Sequence, residues 1–191
     1  MKIILTNDDG IDAPGLETLH SIIQQIGTVV VVAPEQPQSW VSHRVTTHSP
    51  IRVMEVGKDR FMVNGTPADC SRIALKKIVP DASWIFSGIN PGANLGSDVY
   101  NSGTVASARE AAILGCSAVA ISQYIAKGHQ IQWDTTLHHA QPIIRMLTDL
   151  TLEPGHFWNV NLPHPLNIEQ TLDYVFCGLD IHPHKYEFKQ E

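Results

Sequence analysis

Two adjacent carboxylates, Asp8 and Asp9, stand where a short apolar run ends. Lys2-Ile3-Ile4-Leu5-Thr6 is followed at once by Asn7-Asp8-Asp9-Gly10. Like charges side by side repel, and each raises the other's pKa unless a cation compensates. Their hard oxygens suit a divalent metal ion. A solvated acidic turn, with Asp9 merely capping the next helix, is the plainer alternative, and the dipeptide alone leaves both open.

Further chemistry-bearing residues lie downstream. Gly88-Ile89-Asn90-Pro91-Gly92-Ala93-Asn94-Leu95-Gly96-Ser97-Asp98 holds three glycines and two asparagines between a strand and a helix. Glycine permits left-handed backbone and close ligand approach, and asparagine offers a metal a neutral oxygen. Ser102-Gly103-Thr104 opens the following helix, where hydroxyls and free N–H groups either cradle a phosphate or simply cap. It is not a P-loop, because no Gly-Lys-Ser/Thr element occurs. Thr66-Pro67-Ala68-Asp69 reads as a capping-box variant with proline at the first helical position. The same helix start would offer N–H donors to a neighbouring phosphate. Ser39 and His43 share a polar loop, but without a G-x-S-x-G elbow they do not make a serine hydrolase. His138-His139 and His182-Pro183-His184 have metal-binding side chains and read as ordinary surface histidines.

The elements that must position these groups follow from periodicity. Lys2 to Thr6 is a buried strand. Leu16, Leu19, Ile22, Ile23 and Ile26 recur at helical spacing until Gly27, and Thr28 to Ala33 forms a second strand. Strand, helix and strand in succession make a right-handed βαβ unit. The loop from Glu35 to His43 then leaves the carboxyl end of that strand and faces the same crevice as Asp8. Arg44 to Thr47, Ile51 to Val56 and Arg60 to Val63 are strand-like and predict an antiparallel excursion. A helix is expected over residues 67–78, a strand over 83–87, a helix from 102 to 114 with Arg109 and Glu110 on its exposed face or paired with neighbours, and a strand over 117–122. Beyond Gly128, residues 135–150 read as a helix that Pro142 can kink, 157–163 as a strand and 172–177 as one more.

Composition narrows the function. The chain has 191 residues, 43% of them hydrophobic, and a formal charge of −6, enough to bury one large core. Its 13 lysines and arginines are scattered, with no run longer than Lys76-Lys77, so no stripe for duplex nucleic acid or a membrane surface is expected. Cys70, Cys116 and Cys177 are odd in number and lack C-x-x-C spacing, which predicts reduced buried thiols rather than disulfides or zinc. Asp8 follows too few apolar residues for a signal peptide, and no apolar run approaches a membrane span, so a cytoplasmic location is expected.

Taken in order, Leu5-Thr6-Asn7-Asp8-Asp9-Gly10-Ile11, Val32-Ala33-Pro34, Asn64-Gly65-Thr66-Pro67-Ala68-Asp69-Cys70, Ser87-Gly88-Ile89-Asn90 with Gly92-Ala93-Asn94, and Tyr100-Asn101-Ser102-Gly103-Thr104-Val105 resemble the SurE (survival protein E) family. The likeness runs through residues 3–122, with a weaker echo at Asn159-Val160-Asn161-Leu162-Pro163. It implies a metal-dependent 5'/3'-nucleotidase acting on nucleoside monophosphates. The implied fold is Rossmann-like α/β: a mostly parallel sheet with helices on both faces (three-layer αβα) and a small antiparallel excursion. It also implies a single domain over residues 1–191, its core about 1–163 and its C-terminal segment 164–191 shortened.

Carried over by position, the metal ligands are Asp8, Asp9, Ser39 and Asn94, holding one divalent cation per subunit, magnesium or manganese. Asp8, Asp9 and Asn94 are the implied catalytic residues, and Asn90, Ser102, Gly103 and Thr104 surround the substrate phosphate. Such a cation would let an anionic phosphate approach two carboxylates, with Asp9 orienting the attacking water; an aspartyl-phosphate intermediate is the other course. Pro91 stands where the family often has arginine, and Ser42 where glycine is common. The chain stops a few dozen residues short of a typical member, in the region of an arm used in subunit exchange. A homodimer through the core is expected, and a tetramer through that arm is left open.

Other classes fit less well. A haloacid-dehalogenase phosphatase needs Asp-x-Asp, and Asn7 occupies the nucleophile's place. A phospho-receiver domain needs an acceptor aspartate after a third parallel strand and a later lysine, neither of which is found. The alternative that stays open is a non-catalytic nucleotide- or metal-binding module, or an enzyme weakened by its short C-terminal segment.

Overall fold

The structure, a computed structural model, describes residues 1–164, 166–180, 182 and 187–189. Strand β1 (Lys2–Thr6) sits in the middle of a seven-stranded sheet of order β3-β4-β2-β1-β5-β6-β7. Its neighbours are β2 (Thr28–Pro34) and β5 (Trp84–Pro91), both parallel to it. Strands β6 (Ser117–Gln123) and β7 (Trp158–Leu162) continue the parallel order on one side. On the other, β4 (Arg60–Val63) is parallel to β2, and only β3 (Val53–Gly57) runs antiparallel. The antiparallel excursion is thus a single edge strand.

Alternation along β1 explains the two covering layers. Ile3 and Leu5 point into a core shared with Leu16, Leu19, Ile22 and Ile23 of α1 (Pro14–Ile23) and Ile143, Ile144 and Leu147 of α5 (Trp133–Asp149). Ile4 points the opposite way, to Cys70 of α2 (Pro67–Ile73) and Val105, Ala108 and Ala111 of α4 (Gly103–Ile113). Burying a Leu or Ile side chain stabilises by about 1.5–3 kcal/mol, so both faces draw helices onto the sheet. No helix among the described residues is long and apolar enough to cross a membrane.

Several elements differ from the sequence-based expectation. The helix from Pro67 ends at Ile73 and continues as a π-helical turn, Ala74–Ile78. Residues 44–47 form no strand: the Arg44 carbonyl accepts from Thr66 Oγ1, and Thr46 donates through its N–H and hydroxyl to Asp69. Those bonds replace a ladder. Strand β5 runs past Ser87, because Asn90 and Pro91 pair with Ser122 and Gln123 after a register shift. Residues 172–177 are irregular; they line a cavity with residues of β7, and Phe176 meets Trp158 edge to face. A one-turn helix, α3 (Asp98–Asn101), precedes α4, and Pro142 lies within a continuous α5. Cys70 and Cys116 are buried as expected, but Cys177 is exposed.

Because β1, β2, β5 and β6 are parallel, the segments after them emerge on one edge of the sheet. Those segments carry Asp8, Ser39 and Asn94, with Asn90 near the end of β5 beside them, and open α/β sheets bind ligands at this edge.

Candidate active site

The acidic turn is built on β1. Asn7 Nδ2 donates to the Gly10 carbonyl (2.8 Å), closing the turn, and the Ile11 N–H donates to the Pro34 carbonyl (3.0 Å). Gly10 takes φ +102°, a conformation that L side chains rarely adopt. Asp8 is buried, and its carbonyl accepts from the Gln38 N–H (2.7 Å), which brings Ser39 to the neighbouring position in the chain.

Helix α4 abuts Asp8. A Cβ at Gly103 would lie 2.7 Å from Asp8 Cβ and 2.9 Å from Oδ2, so only glycine fits without displacement. The three residues at this helix start divide their work. Ser102 caps the helix by accepting from the Val105 N–H (3.1 Å), Gly103 permits the contact, and the Thr104 hydroxyl donates to Asp8 Oδ1.

Burial pushes the Asp8 carboxyl above the usual carboxylate range, opposed by the Thr104 hydroxyl and by backbone hydrogen bonds including those of Thr104 and Gly103. Asp9 is partly exposed, and burial together with the charge of Asp8 pushes it up to about 7. No basic side chain among the described residues offsets either one.

On the β5 side, Asn94 is buried and held by β6 and β7. Its Nδ2 donates to Ser122 Oγ (2.7 Å), its N–H to Asn161 Oδ1 (2.8 Å), and its carbonyl accepts from Asn159 Nδ2 and Asn161 Nδ2 (2.9 and 3.1 Å). This leaves Asn94 Oδ1 uncommitted among the described residues. Asn90 Nδ2 donates to the Gly92 carbonyl (2.6 Å) and shapes its own loop. Ser39 is exposed and makes no hydrogen bond among the described residues.

The structure therefore brings Asp8, Asp9, Gly103 and Thr104 together. Ser39 is tethered beside them through Gln38. Asn90 and Asn94 share the same sheet edge without a hydrogen bond to the acidic turn.

Four residues outside the expected set shape this site. Asn159 and Asn161 alternate along β7, and that two-residue spacing places both on one face, a signal present in the sequence. Ser122 and Gln38 carry no signal of their own. Glu110 was expected on an exposed face or paired; it is buried and paired, receiving Arg72 Nε (2.6 Å) and His43 Nε2 (2.8 Å). Thr66 and Asp69 form a complete capping box, so their role is structural, and Asp69 also clamps Thr46. His139 is buried with Nε2 at 2.8 Å from the Asn167 carbonyl, whereas His182 is exposed beside Asp180. Pro183 and His184 lie outside the described residues.

The donor set suits a hard divalent cation. Two carboxylates without a counter-cation, the free Asn94 Oδ1 and a buried, unpartnered Asn7 Oδ1 are all oxygen acceptors. Among the described residues no group of three or more His, Cys, Asp or Glu side chains is assembled, so zinc-like ligation is not what these residues offer.

A doubly covered parallel sheet with an acidic, oxygen-lined centre at its carboxyl edge defines a Rossmann-like α/β protein of the ligand-binding kind. The family model for survival protein SurE matches residues 3–181. A Synechocystis sp. protein described as a candidate 5'-nucleotidase is 47% identical over 177 residues, covering 93% of this chain and 78% of that one. The 5'-nucleotidase SurE of Methylorubrum populi is 43% identical over 168 residues, 85% of this chain and 66% of its own length. The crystal structure of the SurE protein from Aquifex aeolicus superposes with a TM-score of 0.80 at 32% identity, covering 87% of this chain and 67% of that one. The chain belongs to the SurE family and is an enzyme.

Proposed function

We propose that this protein is a metal-dependent phosphomonoesterase that hydrolyses nucleoside 5'-monophosphates to nucleoside and phosphate. The observation that carries the reading is the Asp8–Asp9 pair at the end of β1, Asp8 buried against the start of α4 and Asp9 partly exposed, with no basic side chain among the described residues to offset either charge. The relatives' description as 5'-nucleotidases supports the substrate class.

Asp8, Asp9, Ser39 and Asn94 would hold one magnesium or manganese ion. When bound, the ion offsets the carboxylate charge and supplies Lewis-acid polarisation of the phosphoryl group. The chain's own residues do the rest. Asn90 and the Ser102-Gly103-Thr104 helix start position the phosphate, and the positive end of the α4 dipole favours its charge. Asp9 orients a water in line with the scissile bond. The water oxygen bonds to phosphorus, the bond from phosphorus to the ribose oxygen breaks, and a proton ends on that oxygen. Hydrolysis of 3'-monophosphates uses the same groups. The enzyme would act in the cytoplasm as a homodimer, without duplex nucleic acid or membrane as partner.

The test is phosphate release from a nucleoside 5'-monophosphate before and after chelation, with manganese or magnesium added back. Turnover that disappears with chelator, returns with metal and is absent in Asp8→Asn supports the reading. Metal binding without turnover would instead establish a non-catalytic module.

A further inference from the structure

We infer that Trp40 is a specificity-determining residue: its exposed indole is a platform on which the base of a nucleoside monophosphate stacks. The inference rests on the proposed nucleotidase reading and adds the subsite for the part of the substrate that does not react.

Three observations converge on this residue. Trp40 is 75% exposed, so its indole contributes little to the core. Its backbone has φ +59°, in the left-handed region where a bulky residue is a genuine outlier. Both features are unfavourable in a free protein, and such outliers cluster at functional sites, where surrounding contacts hold them. The third observation is place: Trp40 follows Ser39, in the loop that leaves β2 toward the acidic turn.

The loop holds that backbone from both sides. Before Trp40, the Gln38 N–H donates to the Asp8 carbonyl (2.7 Å). After it, Ser42 donates through its N–H to the Asn101 carbonyl (3.0 Å) and through Oγ to the Tyr100 carbonyl (2.7 Å). His43 then reaches the buried Glu110, and Thr46 is fixed by Asp69. The indole is therefore carried between an anchor on the proposed metal ligand and an anchor next to the proposed phosphate cradle. Leu95, beside Asn94, and Tyr100, two residues before Ser102, are each 56% exposed as well.

An exposed indole so placed recognises a flat, apolar-faced group attached to a phosphate. Every nucleobase has such a face, and stacking on an aromatic side chain is tolerant of base identity. The ligand class is therefore nucleoside monophosphates in general, with weak discrimination among bases.

The experiment compares a nucleoside 5'-monophosphate with ribose 5-phosphate, which keeps the sugar and phosphate and lacks the base. The readout is the ratio of kcat/KM for the two, together with equilibrium binding of both compounds by calorimetry. Stacking of one base corresponds to roughly five- to 150-fold in favour of the nucleotide. Trp40→Gly removes the indole and suits the left-handed backbone, so the variant should fold at least as well. The expected result is that Trp40→Gly loses most of this preference and Trp40→Phe retains part of it. A preference unchanged in Trp40→Gly overturns the inference, as does a wild type that binds both compounds equally. A Trp40→Gly protein that changes only its oligomeric state also overturns it, assigning the indole to a subunit contact. Absence of phosphate release from either compound overturns the nucleotidase reading separately, because the binding ratio still decides whether the base is stacked.

Discussion

The hydroxyl of Thr104 donates a hydrogen bond to Asp8 Oδ1, joining two residues 96 positions apart in the chain. Thr104 is wholly buried, and Asp8 nearly so. This bond ties the end of the central strand to the start of α4, and it keeps one carboxylate oxygen in place before any ligand arrives. Thr104→Val preserves the side-chain shape and removes the donor. A hydrogen bond to a charged group contributes about 1.5–3 kcal/mol, so the variant should be less stable by that order. Urea unfolding midpoints measure the loss, and phosphate release should fall with it because Asp8 is no longer oriented. A variant with wild-type stability and wild-type turnover would show that the bond positions nothing.

The raised carboxylates make a sign-specific prediction for the metal-free protein. Asp9 is pushed up to about 7 from an ordinary value of 3.8, and Asp8 is raised as well. Between those values the folded state binds more protons than the unfolded chain. Stability therefore falls as pH rises through that window. The contribution is fully present near pH 4 and lost above about 7. With chelator present, Asp9→Asn should flatten that slope. Thermal unfolding at pH 5 and pH 8 in a chelating buffer reads it directly, and a wild-type slope of the opposite sign from this pair would contradict the structure. Other carboxylates and histidines also titrate here, so the difference between wild type and Asp9→Asn is the informative quantity.

Gly15 shows how closely α1 approaches the site-bearing strand. A Cβ there would lie 2.0 Å from the Ile89 carbonyl oxygen and 3.1 Å from the Trp133 ring. Alanine is the better helix former by about 1 kcal/mol, which on propensity alone would make Gly15→Ala stabilising. The steric effect opposes this, because the nearest atom is backbone and cannot swing aside. Overpacking of this kind costs about 1–3 kcal/mol, and relief requires α1 or β5 to shift. The expected outcome is a lower unfolding midpoint together with weaker nucleotide binding, since Asn90 follows Ile89 directly. Stabilisation by Gly15→Ala would mean that the helix and strand are not in this contact.

Legibility in the sequence followed range of interaction. Strand β1, the βαβ unit and the acidic turn were readable because their signals are local: an apolar run, a helical period, a glycine stop. The mostly parallel sheet with helices on both faces and a small antiparallel excursion also agrees with what was expected, although that excursion is one strand. The failures are places where a distant partner decides. Residues 44–47 look strand-like, yet Asp69 and Thr66 take their hydrogen bonds. Residues 172–177 look strand-like, yet they line a cavity beside β7 without pairing with it. Within the candidate site, Asp8, Gly103 and Thr104 could be named in advance as chemistry-bearing residues. Their contact could not, because neither local pattern records that the two segments meet. Asn159 and Asn161 lie between these cases: their spacing shows a shared face, and only the fold shows that the face holds Asn94.

The buried Glu110 gives the last prediction. Its carboxylate is 2% exposed, whereas its partners Arg72 and His43 are 43% and 23% exposed at the side chain. The pairing is asymmetric, since the partners can reach water and Glu110 cannot. Arg72→Ala should therefore strand a buried acceptor and cost about 1–3 kcal/mol. Replacing both groups by apolar residues of similar volume, Arg72→Met with Glu110→Met, removes the stranded charge. Such replacements of buried pairs are often neutral or stabilising, so the double variant should be more stable than Arg72→Ala alone. Because His43 loses its partner too, the double variant should also loosen the loop carrying Ser39 and Trp40, which amide exchange across residues 38–46 would record as lost protection. A double variant less stable than the single one, or with an equally protected loop, would show that Glu110 serves the core alone.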